Sequence, residues 1–369
     1  MIARLFALVI KEFLAIWRDP RSRAVLFGPP LIQLFLFAYA ATYDIENARL
    51  AVLNEDRSRE SRELVARFTA SRGFEPVRRL THVRQIAPTI DRQDAMAVLH
   101  IGPTFAADLK SGNTAQVQII VDGRRSNSAL VLLGYAGEIV TGYASDMAAE
   151  NDQPGPPAEL VTRAWFNPQL ESRWFIVPGL VGTLTLVVTT VVAGLSVARE
   201  RELGTFDQLL VTPLRPLEIF VGKTVPALAI GVIEGAFIVL AAIWWFEVPL
   251  RGSHLLLALS LVLFLLSATG VGLMISAFAR TQQQAIVGSF LFLMPAVILS
   301  GFATPVDNMP DFVQALTYAN PLRYMLVILR GLFLQDLPGD LVVQQLWPMA
   351  IIAVVTGAVA VWLFRHRLA

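Results

Sequence analysis

The sequence predicts a helical membrane bundle with an α/β domain inserted in it, and three observations carry that prediction. The chain of 369 residues is 55% apolar and only 16% charged, against roughly a quarter charged in an ordinary soluble domain. Six long runs, residues 24–43, 174–198, 224–246, 255–279, 285–306 and 341–364, hold a single charged residue, Glu234. Between the first and second runs, residues 44–173 mix both signs of charge over 130 residues, enough to fold as a domain.

Each run has 20 to 25 residues, and a bilayer core of about 30 Å takes about 20 helical residues to cross. Six spans are therefore expected. Residues 1–23 precede them. Over 1–18, apolar positions repeat at helical spacing with Arg4, Lys11, Glu12 and Arg18 interspersed, before Asp19-Pro20. This is the pattern of an amphipathic helix lying in the interface. The first run ends at Ala38-Tyr39-Ala40, which resembles a signal-peptidase site, but its length fits an uncleaved anchor better than a signal peptide.

In the insert, short β-rich runs at 48–56, 94–102 and 115–123 alternate with helical stretches near 57–72, 82–92, 104–111 and 127–150. The insert reads as a small α/β domain. It ends near the Pro-rich linker 151–157, which cannot hold a helix. The membrane part is then 174–369, with a polar segment at 199–223 and a hairpin at 305–340 whose apolar stretch, 321–334, carries Arg323 and Arg330. That stretch is too short to span and is expected to be re-entrant or interfacial.

Lys and Arg in the short segments set the expected orientation. Twelve lie in 1–23, 199–223, 280 and 365–367, and three, Arg251, Arg323 and Arg330, on the other side. Both termini are thus expected in the cytoplasm and the α/β domain outside, which is the periplasm if the membrane is the inner membrane of a two-membrane bacterium. The net charge of +1 gives no case for a nucleic-acid partner, and the absence of cysteine excludes thiol catalysis and thiolate metal sites. The four histidines show no metal-ligand spacing, and no nucleophile with a nearby base can be argued, so no catalytic, cofactor or metal site is expected in the chain. Asp122-Gly123-Arg124-Arg125 reads as a turn with a solvated charge pair.

Residues 198–223, ARERELGTFDQLLVTPLRPLEIFVGK, are richer than a connector requires. A charged patch precedes Gly204-Thr205 and a short helix expected over 205–211, with Thr205 as N-cap and Leu209 and Leu210 on one face. On residue chemistry alone the segment serves equally as a docking element or as an interfacial connector. Gly222-Lys223-Thr224 ends like a phosphate-binding loop, but Leu217 stands where that loop needs a glycine, so Lys223 is expected at the edge of the third span, snorkelling to headgroups. Glu234 lies near mid-membrane within Gly231-Val-Ile-Glu-Gly235. It stands either in a substrate or proton path or in hydrogen-bonded helix packing.

The pattern E-R-E-x-G-T-x-x-x-L-L-x-T-P, with P-L-E and G-K after it, resembles the cytoplasmic coupling loop of ABC-2 type transport permeases. Residues 166–179, 299–310 and 319–334 resemble other stretches of that family in order, and the large insert resembles its subfamily with a periplasmic domain. The resemblance implies an exporter subunit that moves a small amphiphilic or drug-like substrate. Glu200, Arg201, Glu202, Gly204, Thr205, Asp207, Gln208, Leu209, Leu210, Thr212 and Pro213 would then couple to a cytosolic ABC ATPase, which would bind ATP and Mg itself. It also implies a second permease, as homodimer or paralogue, and a periplasmic adaptor protein as a further partner. The alternative is a membrane-anchored sensor or assembly factor, which would usually carry a larger cytoplasmic output domain.

Overall fold

Four strands of residues 42–163 and nine helices described in the rest of the chain form two units, each with its own core. A computed structural model describes residues 2–18, 20–40, 48–71, 73–124, 126–150, 166–167, 171–205 and 216–367.

In residues 42–163 the elements are β1 (Ala48–Asn54), α3 (Arg59–Ala70), β2 (Phe74–Leu80), α4 (Ile86–Asp91), β3 (Ala97–Ile101), α5 (Phe105–Lys110), β4 (Val117–Val121) and α6 (Ser126–Glu150). The sheet order is β2-β1-β3-β4, with β1 parallel to both neighbours and β4 antiparallel to β3. Because side chains alternate along a strand, Leu50 and Val52 join Leu64, Phe68, Phe105 and Leu132 in one core. Ala51 and Leu53 join Leu80, Ile86 and Val98 in another. The composition does not announce β2. FEPVRRL is an edge strand whose five central residues are all exposed, so no apolar alternation marks it. Beyond β4, the Arg124 guanidinium grips Asp122 through two hydrogen bonds of 2.8 and 2.9 Å and donates to the Ile90 carbonyl.

The other unit contains α1 (Ile2–Arg18), α2 (Pro20–Ala40), α7 (Ser172–Glu202), α8 (Pro216–Trp244), α9 (His254–Phe278), α10 (Gln282–Ile298), α11 (Asp311–Thr317), α12 (Pro321–Leu334) and α13 (Gly339–Arg367). Among the described residues, four helices are long and apolar enough to cross a membrane: α7, α8, α9 and α13. The runs 24–43 and 285–306 correspond to shorter apolar helices, Gly28–Tyr39 within α2 and Gln282–Ile298. The second of these is shorter than its apolar composition suggests. The Leu299 amide bonds back to the Pro295 carbonyl and Gly301 turns the chain at φ +87°, so the apolar residues 299–306 lie beyond the helix end.

The central element is α7, buried along most of its length and packed against α2, α8, α9, α10 and α12. Its hydroxyls are tolerated in an apolar core because they bond within the helix: Thr183 donates to the Gly179 carbonyl (3.1 Å) and Thr185 to that of Val181 (2.6 Å). Small residues let its neighbours close in. A Cβ on Gly272 of α9 would stand 2.6 Å from both the Thr190 carbonyl oxygen and the Ala193 Cβ of α7. Backbone on that side cannot retreat. Gly272→Ala is therefore expected to destabilise the bundle by about 1–3 kcal/mol, seen as a lower melting temperature of the purified protein.

Helix α12, the stretch expected to be re-entrant or interfacial, packs among the other helices of this unit. Leu322, Met325, Ile328, Leu329, Leu332 and Phe333 of α12 are almost completely buried, packed among α7, α9 and α13. Gly179 and Gly182 of α7 make room for Leu326, Leu322 and Leu329. Its two arginines are absorbed locally. Arg323 bonds the Thr317 hydroxyl and lies over the Tyr318 ring, while Arg330 stacks 3.8 Å from the centre of the Phe175 ring.

Candidate functional site

The charged patch Glu200-Arg201-Glu202 ends α7, and the structure explains why that helix stops there. Gly204 adopts φ +68°, its amide bonds to the Arg201 carbonyl (3.1 Å), and the Thr205 amide bonds to the Glu200 carbonyl (2.9 Å). These two bonds form the glycine-dependent terminator that satisfies the last carbonyls of a helix. Thr205 thus faces backward, its hydroxyl donating to the Glu200 carbonyl at 3.3 Å. Asp207, Gln208, Leu209, Leu210, Thr212 and Pro213, with the rest of the helix expected over 205–211, lie outside the described residues. Gly204→Ala is expected to cost about 1 kcal/mol, because a Cβ is strained at this φ. Gly204→Asn should cost less, and thermal unfolding of the two variants would rank them.

The three charged residues before that turn reach three different places. Glu200 is 5% exposed and points into the bundle, where it is paired with Lys11 of α1 and with Lys223 of α8 at 2.9 Å. Arg201 donates to the Ala277 and Ala279 carbonyls at the end of α9 (2.8 and 3.1 Å). Those are carbonyls a helix terminus leaves without an internal partner. Glu202 accepts from the Gln282 amide (2.8 Å), a first-turn donor of α10. Through consecutive residues, the base of the segment therefore holds α1, α8, α9 and α10.

Lys223 corrects its sequence-based reading. Instead of snorkelling to the surface, it is 1% exposed and its ammonium lies 3.1 Å from Glu12 of α1, 2.9 Å from Glu200, and 3.3 Å from the Ser196 carbonyl that it also donates to. Its predecessor explains how α1 comes so close, because a Cβ on Gly222 would meet the Leu8 side chain, with Cγ at 2.8 Å. Glu12 is itself 6% exposed. Lys11 completes the group from the rim: burial, the largest single influence, opposes its charge, but the Glu200 hydrogen bond and the Glu200 and Glu12 charges outweigh it and hold its pKa above the usual lysine value. Two carboxylates and two ammonium groups thus balance in a site mostly closed to water. Buried charge of this kind persists only when paired.

The sequence singled out Glu200 and Lys223 without their partner Glu12, which is 211 residues from Lys223. One signal was present. Glu12 follows Leu8 by four residues on the same helix face, and both are buried, so a charge interrupts the apolar stripe of α1.

Glu234 lies apart from this group, eleven residues or about 16 Å along α8 from Lys223. It is 7% exposed, and neither carboxylate oxygen has a hydrogen-bond partner among the described residues. No group of three or more potential metal-ligating side chains occurs among the described residues either.

A membrane bundle, a charged turn after its central helix and a buried ionic lock at that turn now stand together with the family pattern described as "ABC-2 family transporter protein", which matches residues 25–362. The chain belongs to the ABC-2 transporter family. It is 41% identical over 367 residues to the "Probable multidrug ABC transporter permease YbhR" of Escherichia coli strain K12, covering all of both chains. It is 34% identical over 386 aligned positions to YbhS of the same strain, which carries the same description, covering 99% of this chain and 97% of that one. It is 27% identical over 370 positions to the "Inner membrane transport permease YhhJ" of that strain, covering 100% and 98%. This ABC-2 permease is thus a multi-pass membrane protein of a transport family, and two members of the ionic lock, Glu200 and Lys223, sit in the stretch whose motifs carry the resemblance.

Proposed function

We propose that this permease is the membrane subunit of an ATP-driven exporter in a bacterial inner membrane, moving a small amphiphilic or drug-like substrate out of the cytoplasm or the inner leaflet. In this reading the chain crosses the membrane six times, both termini and the 199–223 segment are cytoplasmic, and the α/β domain is periplasmic. ATP and Mg bind to a separate ABC ATPase. Its groove receives residues 205–213, with Asp207 and Gln208 supplying hydrogen bonds and Leu209 and Leu210 an apolar contact. A second permease, identical or related, completes the pathway, and a periplasmic adaptor can meet the outer domains.

The observation that carries the proposal is the fixation of the segment's base. Coupling needs an element whose energy differs between two states of the partner and which moves as a unit. Glu200, Arg201 and Glu202 tie the end of α7 to α1, α8, α9 and α10, so force on the following residues is delivered to five helices rather than to one loop. Glu200 acts inside this lock, not at the partner's surface.

The test is a pull-down of the tagged chain from its native membrane in mild detergent and in lipid nanodiscs, followed by identification of co-purifying proteins and an ATPase assay. Recovery of an ABC ATPase is expected. Its absence in every condition would contradict the reading and leave a membrane-anchored sensor or assembly factor in its place.

A further inference from the structure

Glu234 is a buried carboxyl group within α8 with no hydrogen-bond partner among the described residues, and the helices around it offer little to spare. On α8, Gly231 lies against the Thr189 hydroxyl of α7 and Leu265 of α9, and Gly235 against Leu261 of α9 and Thr185 of α7. Glu234, between the two glycines, is therefore level with residues 185–189 of α7 on the buried side of α8. Ile230 and Ile238, four residues to either side, are also buried. Thr189 and Thr190 are fully buried, and their hydroxyl oxygens, like the two oxygens of Glu234, lack hydrogen-bond partners among the described residues. By contrast, the hydroxyls of Thr183 and Thr185 on α7 close onto carbonyls of the helix itself. The Glu234 level is thus one place among the described residues, with the Thr224 hydroxyl and Arg330 Nε elsewhere in the bundle, where buried polar capacity is left unspent, at a cost that a membrane core makes large.

Three occupants can be weighed. A second protein chain cannot reach the carboxylate, because its side of α8 is packed against α7 and α9 of the same chain. A bare metal ion needs several oxygen ligands, whereas here a single carboxylate stands among leucine, isoleucine and two threonines. A lipophilic organic cation fits both features, a carboxyl group that can release its proton to pair with the charge and apolar walls for the body.

We propose that Glu234, with Thr189 at the α7–α8 crossing, binds the positively charged centre of a transported amphiphile, an ammonium or other onium group, in the middle of the membrane. The proposal rests on the permease reading above and names its substrate class. The site is closed around Glu234 in this conformation, so binding accompanies separation of α8 from α7, which is the movement that force at Lys223, at the other end of the same face, would produce.

The test uses the full chain, purified without any ATPase, and radiolabelled tetraphenylphosphonium, with neutral triphenylphosphine oxide as the comparison. The cation is expected to bind the wild-type protein at least tenfold more tightly than Glu234→Gln, while binding of the neutral compound changes less than twofold. Equal cation binding by the two proteins, or equal loss for both compounds, would overturn the proposal. A second measurement needs no variant. Dicyclohexylcarbodiimide, a reagent for carboxyl groups in apolar surroundings, should modify Glu234, as located by peptide mass, and tetraphenylphosphonium should slow that modification while triphenylphosphine oxide does not. Failure of the cation to protect would again overturn it. Because both readouts use the isolated permease, loss of the cation site leaves the ATPase assignment standing, and failure to recover an ATPase leaves the cation site standing.

Discussion

Lys223→Met is expected to destabilise the membrane unit by about 3–5 kcal/mol, the range for removing one partner of a buried ion pair. The substitution keeps most of the side-chain volume, so packing against Leu8 and α1 is not the cause. What is lost is the fully buried charge between Glu12 and Glu200, which are 6% and 5% exposed. Lys11 remains in contact with both carboxylates, at 3.7 Å from Glu12, but its side chain is about half exposed and approaches from the rim, so it compensates in part. The effect belongs near the lower end of the range. The companion variant Lys223→Met, Glu12→Gln, Glu200→Gln removes all three buried charges and is expected to recover most of the loss, since neutralising a whole buried network costs far less than orphaning half of it. Thermal or denaturant unfolding in detergent checks both. A single variant as stable as wild type would show that the lock contributes nothing to the fold.

Leu209→Ala with Leu210→Ala should act on function with little effect on stability. Truncating an apolar anchor pair at an interface removes about 2–4 kcal/mol of binding, or roughly a thirtyfold to thousandfold loss in ATPase affinity. Recovery of the ATPase in the pull-down should fall accordingly, and ATP-driven transport in proteoliposomes with it. The melting temperature of the permease should not move, because the lock at Glu200, Arg201 and Glu202 lies on the other side of the Gly204 turn. Unchanged recovery of the ATPase would remove these leucines from the interface.

These two results separate what the sequence disclosed from what it concealed. Apolar runs announced the long helices, because a bilayer demands about 20 uncharged residues in a row and that demand is local. The end of α10 was hidden by the same rule: residues 299–306 are apolar, but a turn at Gly301 ends the helix first. Edge strand β2 was missed for the opposite reason, since an exposed strand needs no apolar face. The charged turn at 200–205 was visible as an unusual segment, and Gly204 fits the usual grammar of helix ends. Its partners were not visible. Lys223 read as a headgroup anchor because lysine at the edge of a span is ordinarily one, and only the three-dimensional approach of Glu12 turns it into the centre of a buried network. Glu234 could be located from composition alone, whereas its lack of a hydrogen-bond partner among the described residues could be known only from its neighbours.

The chain contains no cysteine, which permits the most direct test of coupling. A single cysteine carrying a photoactivatable cross-linker is introduced at residue 207 or 209, or at Phe312, which is 72% exposed on α11, and the tagged protein is irradiated in its native membrane. Adducts with an ABC ATPase are expected from positions 207 and 209, reduced when the partner is held with a non-hydrolysable nucleotide in one of its two states, and none from 312. Equal ATPase adducts from all three positions, or none from 207 and 209, would contradict the assignment of residues 205–213 as the place where ATP-driven force enters this permease.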